Sequence, residues 1–414
     1  MKPGFMIAAT SSGSGKTTFA RGLMTLLTKK GYKVQPFKCG PDYIDTKFHD
    51  MACGRRSINL DTFMASKAHV KALYNHYGAD ADINVVEGMM GLFDGYDRDL
   101  GSSAEIASVI GLPVVLVVDA KSAAYSIAAL LSGFMNFKED VNIAGVLFNK
   151  VGSVRHYEML KQVCSDLGTY CYGYLPNQSS LELNSRYLGL DFSEKAESDT
   201  LIQLLEEHVD WKALLKLVPD SSGEDETIYT DFLKRGRVLM AQNNESFSFV
   251  YQEKLDGFES VSTFDPETEV PQLENIDLLY LPGGYPEKHA EALSRNEAAR
   301  EAIKDFAEHG GKIVAECGGM MYLCDKILTD SGDYPMCGVL PYVITSRQQD
   351  RKLSLGYRQF TLDGKIYHGH EFHYSQFLGE IPKSVVQVYN AKGEPVSTPV
   401  LRIKNVLASY THIY

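Results

Sequence analysis

Paired cysteines are missing from this chain. Its seven cysteines are scattered, odd in number and include no CxxC pair, which argues against a disulfide framework and for reduced thiols in a reducing compartment. No thiol stands at metal spacing from a histidine, so a zinc site is not expected. Long apolar runs are lacking too. The most apolar stretch, Leu112-Pro-Val-Val-Leu-Val-Val-Asp119, is far too short to span a bilayer and reads as a buried strand. There is no signal-peptide architecture, because Phe5-Met-Ile-Ala-Ala9 enters a strand almost at once. Internal repeats and low-complexity tracts are absent, and Trp211 is the only tryptophan. Positive charge is in deficit, with 53 acidic against 41 basic side chains and a net charge of −12. That argues against a nucleic-acid partner and for an ordinary cytoplasmic protein without a membrane partner.

What is present is the composition of a soluble globular chain, 44% hydrophobic and 23% charged over 414 residues, a length that calls for two domains. Short β-branched runs at 5–9, 33–38, 83–87, 113–118, 143–148 and 170–174 alternate with helical patterns at 16–30, 66–77, 102–110, 122–135 and 154–167. This alternation predicts βαβ units and an α/β, doubly wound, mainly parallel sheet. A further helix is expected over 195–217. The polar run from Pro219 to Thr227 reads as a linker. Residues 1–218 form the first domain in this reading, 219–234 the linker, and 235–414 a second α/β domain. Strands of the second domain are expected near 237–241, 259–263, 277–281, 312–316, 338–345, 355–360, 366–373 and 405–412.

The loop Thr10-Ser-Ser-Gly-Ser-Gly-Lys16-Thr17 follows a strand and opens a helix, as a P-loop does. Gly13, Ser14 and Gly15 would wrap a phosphate with backbone N–H groups. Lys16 would neutralise β/γ-phosphate charge, Thr17 would meet Mg²⁺, and Thr18 continues the nucleotide-binding turn. Thr10 stands where a first glycine is usual. Carboxylates at strand ends complete such a site. Asp42 and Asp45 follow the second strand, Glu87 ends the third, and Asp94 lies in Gly91-Leu-Phe-Asp-Gly95. Asp45, Glu87 and Asp94 join Thr17 as candidate Mg²⁺ ligands. Lys38 would stabilise charge on a transferring phosphoryl group, and Asn149 is placed to read the nucleotide base.

The second domain carries a thiol. Lys312-Ile-Val-Ala315 is a strand that runs into Glu316-Cys317-Gly318-Gly319 and then into a helical pattern. That is how an elbow presents a nucleophile. The Gly318 N–H is free to act as an oxyanion donor, and Gly284, in Leu281-Pro-Gly-Gly-Tyr-Pro-Glu287, would supply a second. A helix start at the cysteine should lower its pKa. His370, His373 and His412 are the candidate bases.

The runs Lys38–Asp45, Glu87–Gly95, Leu281–Glu287, Ala315–Gly319 and Gly369–Ser375, in order over nearly the whole chain, resemble the cobyrinate a,c-diamide synthase family. The resemblance implies a dethiobiotin-synthetase-like P-loop domain and a class I glutamine amidotransferase domain of the cobyric-acid-synthase subtype. It implies ATP- and glutamine-dependent amidation of the a and c carboxylates of cobyrinic or hydrogenobyrinic acid, with Mg²⁺ and ATP as co-substrate. Cys317 would attack glutamine with His412 as base, leaving His370 and His373 to face the synthetase site or the substrate. The ammonia released would travel an enclosed passage to an acyl phosphate. Asp42, Tyr43 and Arg186 would meet the corrinoid, with Arg55 as a further source of positive charge, and a homodimer is compatible with the reading. The chain departs from the family pattern at Asn184–Leu190, where Tyr187 stands for histidine, and at Gln242–Phe249. Both departures bear on substrate contacts rather than reaction class. Nickel-sirohydrochlorin a,c-diamide synthases share these motifs and are the nearest alternative. A nonenzymatic P-loop ATPase switch with a degenerate amidotransferase tail would keep Lys16 but lack a working thiol site.

Overall fold

The structure is a computed structural model that describes residues 2–178, 198–220 and 236–414. Arg186 and residues 221–234 of the expected linker lie outside the described residues. The chain divides into two compact units, Met1–Ile228 and Tyr229–Tyr414.

The first unit begins β1 (Gly4–Ala9), α1 (Lys16–Lys29), β2 (Val34–Cys39), α2 (Tyr43–Cys53) and β3 (Ile58–Leu60). It continues α3 (Lys67–Gly78), β4 (Ile83–Glu87), α4 (Ser103–Ile110), β5 (Val114–Asp119) and α5 (Ile127–Phe137). It ends β6 (Ile143–Val151), α6 (Val154–Asp166), β7 (Cys171–Pro176), α7 (Asp199–His208) and α8 (Trp211–Leu214). The strands form one sheet in the order β3-β2-β4-β1-β5-β6-β7, and every pairing in it is parallel. A parallel sheet needs cover on both faces, and β1, β2 and β4 are accordingly buried along their whole length. Phe19, Leu23 and Leu27 of α1 pack with Phe5, Ile7 and Val117 of the sheet and Leu205 of α7. The chain leaves β1 in one direction towards β2 and later returns on its other side at β5. This reversal is where open α/β sheets hold ligands, outside the carboxyl ends of the strands.

The second unit runs β8 (Arg237–Ala241), α9 (Gln252–Leu255), β9 (Ser260–Phe264), β10 (Leu278–Leu281), α10 (Ala290–Arg295) and α11 (Glu297–Glu308). Next come β11 (Ile313–Glu316), α12 (Gly318–Leu323), β12 (Cys324–Leu328), β13 (Asp333–Pro335) and β14 (Leu340–Thr345). The long hairpin β15 (Ser354–Leu362) and β16 (Lys365–His373) precedes the short strands β17 (Gln376–Phe377), β18 (Val388–Tyr389) and β19 (Pro395–Val396). The last strands are β20 (Val400–Ile403), β21 (Val406–Ser409) and β22 (His412–Ile413). The central sheet has the order β20-β21-β11-β10-β8-β9, and an outer sheet β19-β18-β15-β16-β22 lies on the same unit.

The expected helix over 195–217 is two helices. Val209 leaves the helical conformation and bridges Gly173 of β7, so α7 stops there and Trp211 opens α8. The helical pattern after Cys317 is only six residues long before Cys324 turns into β12. In the first unit two elements went unread: α2, which Asp42 caps by accepting the N–H groups of Ile44 and Asp45 at 2.8 and 2.9 Å, and the short edge strand β3.

Candidate active site

At the carboxyl end of β1 the phosphate loop turns through Gly13 (φ 79°) and Gly15 (φ 97°), conformations that only glycine adopts without cost. Gly15 also has no room for a side chain, since a Cβ there would lie 2.0 Å from Asn149 Nδ2. That amide donates to the Ser14 carbonyl at 3.0 Å, so Asn149 braces the loop from below. Ser11 and Ser14 join hydroxyls at 3.0 Å. Thr17, in the first turn of α1, donates its hydroxyl to Glu87 Oε1 at 2.7 Å. The other Glu87 oxygen meets His49 Nε2 at 2.7 Å, and His49 Nδ1 meets Ser57 Oγ at 3.1 Å. His49 therefore fixes the carboxylate that faces Thr17. Thr18 is buried in the first turn of α1.

Two lysines converge on the segment after β4. Lys16 Nζ donates to the Met90 carbonyl at 3.2 Å, and Lys38 Nζ to the Gly88 carbonyl at 2.9 Å. Lys38 also lies 3.7 Å from Asp45 Oδ2. Burial opposes the charge on Lys38, but Glu87, Asp45 and Asp42 outweigh it and raise its pKa above the usual lysine value. Lys16 is lowered by burial and by Lys38. Burial and the neighbouring Asp45 push Asp42 up to about 6. Asp94 is exposed and accepts the Gly91 N–H at 3.0 Å, closing its own turn. The turn is held against the loop base by the Leu92 N–H, which donates to the Ala9 carbonyl at 2.8 Å. Tyr43 is buried at the head of α2. Arg55 does not join this group. It bonds Gln35 Oε1 at 3.0 Å and Asp80 Oδ1 at 2.7 Å, at the amino-terminal edge of the sheet.

In the second unit Cys317 sits between β11 and α12 with φ 47° and ψ −108°, a backbone conformation costly for a residue with a side chain. Such strain is what a nucleophile elbow stores. Its N–H donates to the Ser409 carbonyl at 2.8 Å, which ties the elbow to β21, three residues before His412. His412 pairs with His370 across β22 and β16, and the two rings stack at 4.9 Å and 16°. Tyr251 OH lies 2.9 Å from His370 Nδ1. The loop after β10 lies against both His412 and Gly318 at the start of α12. A Cβ on Gly283 would fall 2.2 Å from His412 Cε1, and one on Gly318 would fall 3.1 Å from Gly284 N. Cys317, His412, Gly284 and Gly318 are thus brought to one place.

The electrostatics of that place correct one expectation. Burial pushes the Cys317 thiol above its usual range, the carboxylate of Glu287 adds to the effect, and the Gly318 N–H only partly opposes it. A one-and-a-half-turn helix does not offset the loss of water. Burial holds His412 well below its ordinary value, with His370, Lys254 and His373 adding to the effect. Burial thus favours the neutral form of both the thiol and the imidazole. His370 is buried behind His412, and His373 stacks on Tyr410 at 3.7 Å while Nδ1 meets the Ser375 carbonyl at 2.9 Å.

Sequence reasoning passed over His49 and Lys254. His49 stands four residues after Asp45 on one helix face, a spacing that offered a signal. Lys254, in Gln-Glu-Lys-Leu, reads as a surface lysine and offered none. Among the described residues, no group of three or more His, Cys, Asp or Glu side chains is arranged to hold a metal, and no helix is long and apolar enough to cross a membrane.

Residues 5–188 match the CobQ/CobB/MinD/ParA nucleotide binding domain, and residues 243–414 match the CobB/CobQ-like glutamine amidotransferase domain. Cobyrinate a,c-diamide synthase of Caldanaerobacter subterraneus subsp. tengcongensis is 38% identical over 99% of this chain and 94% of its own length. The chain belongs to the a,c-diamide synthase family. Hydrogenobyrinate a,c-diamide synthase of Brucella suis (38% identity, 99% of this chain, 98% of the relative) is a further member. So is cobyrinate a,c-diamide synthase of Listeria monocytogenes (38%, 99% and 95%). Among solved structures, a glutamine amidotransferase matches 42% of this chain and 89% of its own at 21% identity, with a TM-score of 0.29. The diamide synthase family thus joins a nucleotide-binding unit and a glutaminase-type unit in one chain, and both sites described above fall inside the matched residues.

Proposed function

We propose that this chain converts the a and c carboxylates of cobyrinic or hydrogenobyrinic acid to amides, using ATP and glutamine. The observation that carries the reading is the near full-length likeness to synthases of that name, which spans both the phosphate loop and the thiol elbow. The named relatives take corrinoid precursors, which favours these over nickel-sirohydrochlorin. An enclosed, buried thiol elbow with its histidine disfavours a nonenzymatic switch.

In the amidotransferase unit, residues 235–414, Cys317 attacks the glutamine carboxamide while His412 takes the thiol proton and passes it to the leaving ammonia. The Gly318 and Gly284 N–H groups support the oxyanion. Water then hydrolyses the thioester to glutamate. In the synthetase unit, residues 1–218, a substrate carboxylate oxygen takes the γ-phosphoryl group of ATP. Ammonia displaces phosphate from the acyl phosphate, leaving amide, ADP and phosphate. Lys16 and Lys38 supply positive charge along the phosphoryl path. Thr18 and the loop N–H groups of Gly13, Ser14 and Gly15 hold phosphate, and Asn149 keeps the loop in shape. Asp42 and Tyr43 border the place where the acid would lie, and Arg186 is assigned to the corrinoid on sequence alone.

The Thr17 hydroxyl and the Glu87 carboxylate converge at 2.7 Å as an oxygen pair suited to Mg²⁺ beside the phosphates, and Asp45 and Asp94 are assigned as further ligands on sequence alone. When bound, the ion would neutralise phosphate charge. We place the protein in the cytoplasm, where ATP and glutamine are at hand and its free thiols stay reduced.

Cys317→Ala and Lys16→Ala test the assignment together. The first should abolish glutamine-driven amidation and leave activity with added ammonia, whereas the second should abolish both. Full glutamine-driven turnover by Cys317→Ala would overturn the thiol assignment.

A further inference from the structure

The thiol elbow rests on a buried charge that the chemistry above does not use. Lys254, on the short helix α9, is 1% exposed, and its ammonium donates to Glu316 Oε1 at 2.9 Å. It also bonds the Ile413 carbonyl and lies 3.4 Å from Tyr280 OH. Tyr280 OH in turn donates to Glu316 Oε2 at 2.8 Å. The chain positions of these partners are what give the cluster meaning. Glu316 immediately precedes Cys317. Ile413 immediately follows His412. Tyr280 is the penultimate residue of β10, just before the loop that carries Gly283 and Gly284.

A single ammonium therefore joins the three segments that bear the thiol, the base and the oxyanion donor. A buried ion pair of this kind adds little to stability compared with apolar side chains of the same volume, so its retention in the core calls for another role. A lysine head group with three donors has the valence to hold three strand ends in fixed register. Backbone hydrogen bonds along β11, β21 and β22 set each strand, yet none of them directly joins the residue before the thiol to the residue after the base. Lys254 does.

We propose that Lys254, with Glu316, is a positioning residue for glutamine hydrolysis, fixing Cys317 against His412 from behind the elbow. This rests on the reading of the second unit as a glutaminase. Misplacement of reacting groups by about 1 Å costs up to about 100-fold in rate, so loss of the clamp should appear in kcat rather than in glutamine binding.

Lys254→Met alone leaves Glu316 buried with its charge uncompensated and risks misfolding. The informative variant is Lys254→Met with Glu316→Gln, which removes both charges and keeps an amide for Tyr280. On the full-length enzyme we expect this double variant to retain ammonia-driven amidation and to lose roughly 10- to 100-fold in kcat for glutamine. Its KM for glutamine should change less than about threefold, and alkylation of Cys317 by iodoacetamide should slow. Lys254→Arg, which keeps charge and donors, should recover part of the lost kcat. Wild-type kcat in the double variant would overturn the proposal. So would parallel loss of ammonia-driven activity, which would mark the cluster as a support of the fold alone. Failure of the glutaminase reading is separate: it would appear as wild-type glutamate release that persists in Cys317→Ala.

Discussion

Replacing Gly283 by alanine places a methyl group where the His412 ring now lies. A Cβ at this position falls 2.2 Å from Cε1, 2.9 Å from Nδ1 and 3.2 Å from Nε2 of His412. Carbon–carbon contact needs about 3.5 Å, so ring or loop must shift by about 1.3 Å. Neither has an easy way to yield. The far face of the ring is stacked on His370, and the Gly283 carbonyl is pinned by the N–H groups of Ser248 and Phe249 at 2.9 and 3.0 Å. A shift of that size in a general base costs about 100-fold, or about 2.7 kcal/mol in the barrier. Steady-state glutamate release at saturating glutamine measures it, with ammonia-driven amidation as the control for an intact synthetase unit. We expect glutaminase kcat to fall about 100-fold and the control to hold. A kcat within about threefold of wild type would show that His412 is not the base or that its position is not limiting.

Three further outcomes follow from the geometry. Because burial keeps His412 neutral well below its ordinary value of 6.5, kcat/KM for glutamine should show no acid limb centred there, and a half-maximum near pH 6.5 would contradict this. Burial pushes Glu371 up, but His373, 3.8 Å away, and the Arg358 guanidinium at 2.9 Å outweigh it and hold the carboxyl down to about 2. Folded below its ordinary 4.5, the group contributes stability that is present at neutral pH and lost as pH falls from about 4.5 towards about 2. Glu371→Gln should therefore cost about 3 kcal/mol at pH 7 by urea unfolding and flatten the acid dependence, and an unchanged midpoint would refute the pairing. Gly15→Ala, forced to φ 97° and against Asn149, should weaken ATP binding more than about tenfold by calorimetry while glutaminase activity persists.

The phosphate loop and the thiol elbow were legible because each is a contiguous run whose glycines, lysine or cysteine carry local chemistry. The strand expected at 113–118 was legible for a similar reason: a buried parallel strand reads as an unbroken apolar run, here Val114–Val118. The choice of His412 over His370 and His373 was not readable from spacing, since it depends on the pairing of β22 with β16 and needed the family resemblance. The thiol pKa went the wrong way in the sequence reading because a helix start is visible in sequence and burial is not. Arg55 looked available as a positive charge, and only the fold shows it committed to Asp80. Helicity from 195 to 217 was overestimated because the bridge from Val209 to Gly173 is a long-range contact. Lys254 was invisible for the same reason.

The most direct test is mass spectrometry of the products formed from MgATP and glutamine with cobyrinic acid, hydrogenobyrinic acid or nickel-sirohydrochlorin in parallel. The account predicts successive carboxylate-to-amide changes at the a and c positions of a corrinoid substrate, with glutamate and ADP formed alongside. Conversion of the nickel compound alone, or of none of the three, would contradict it.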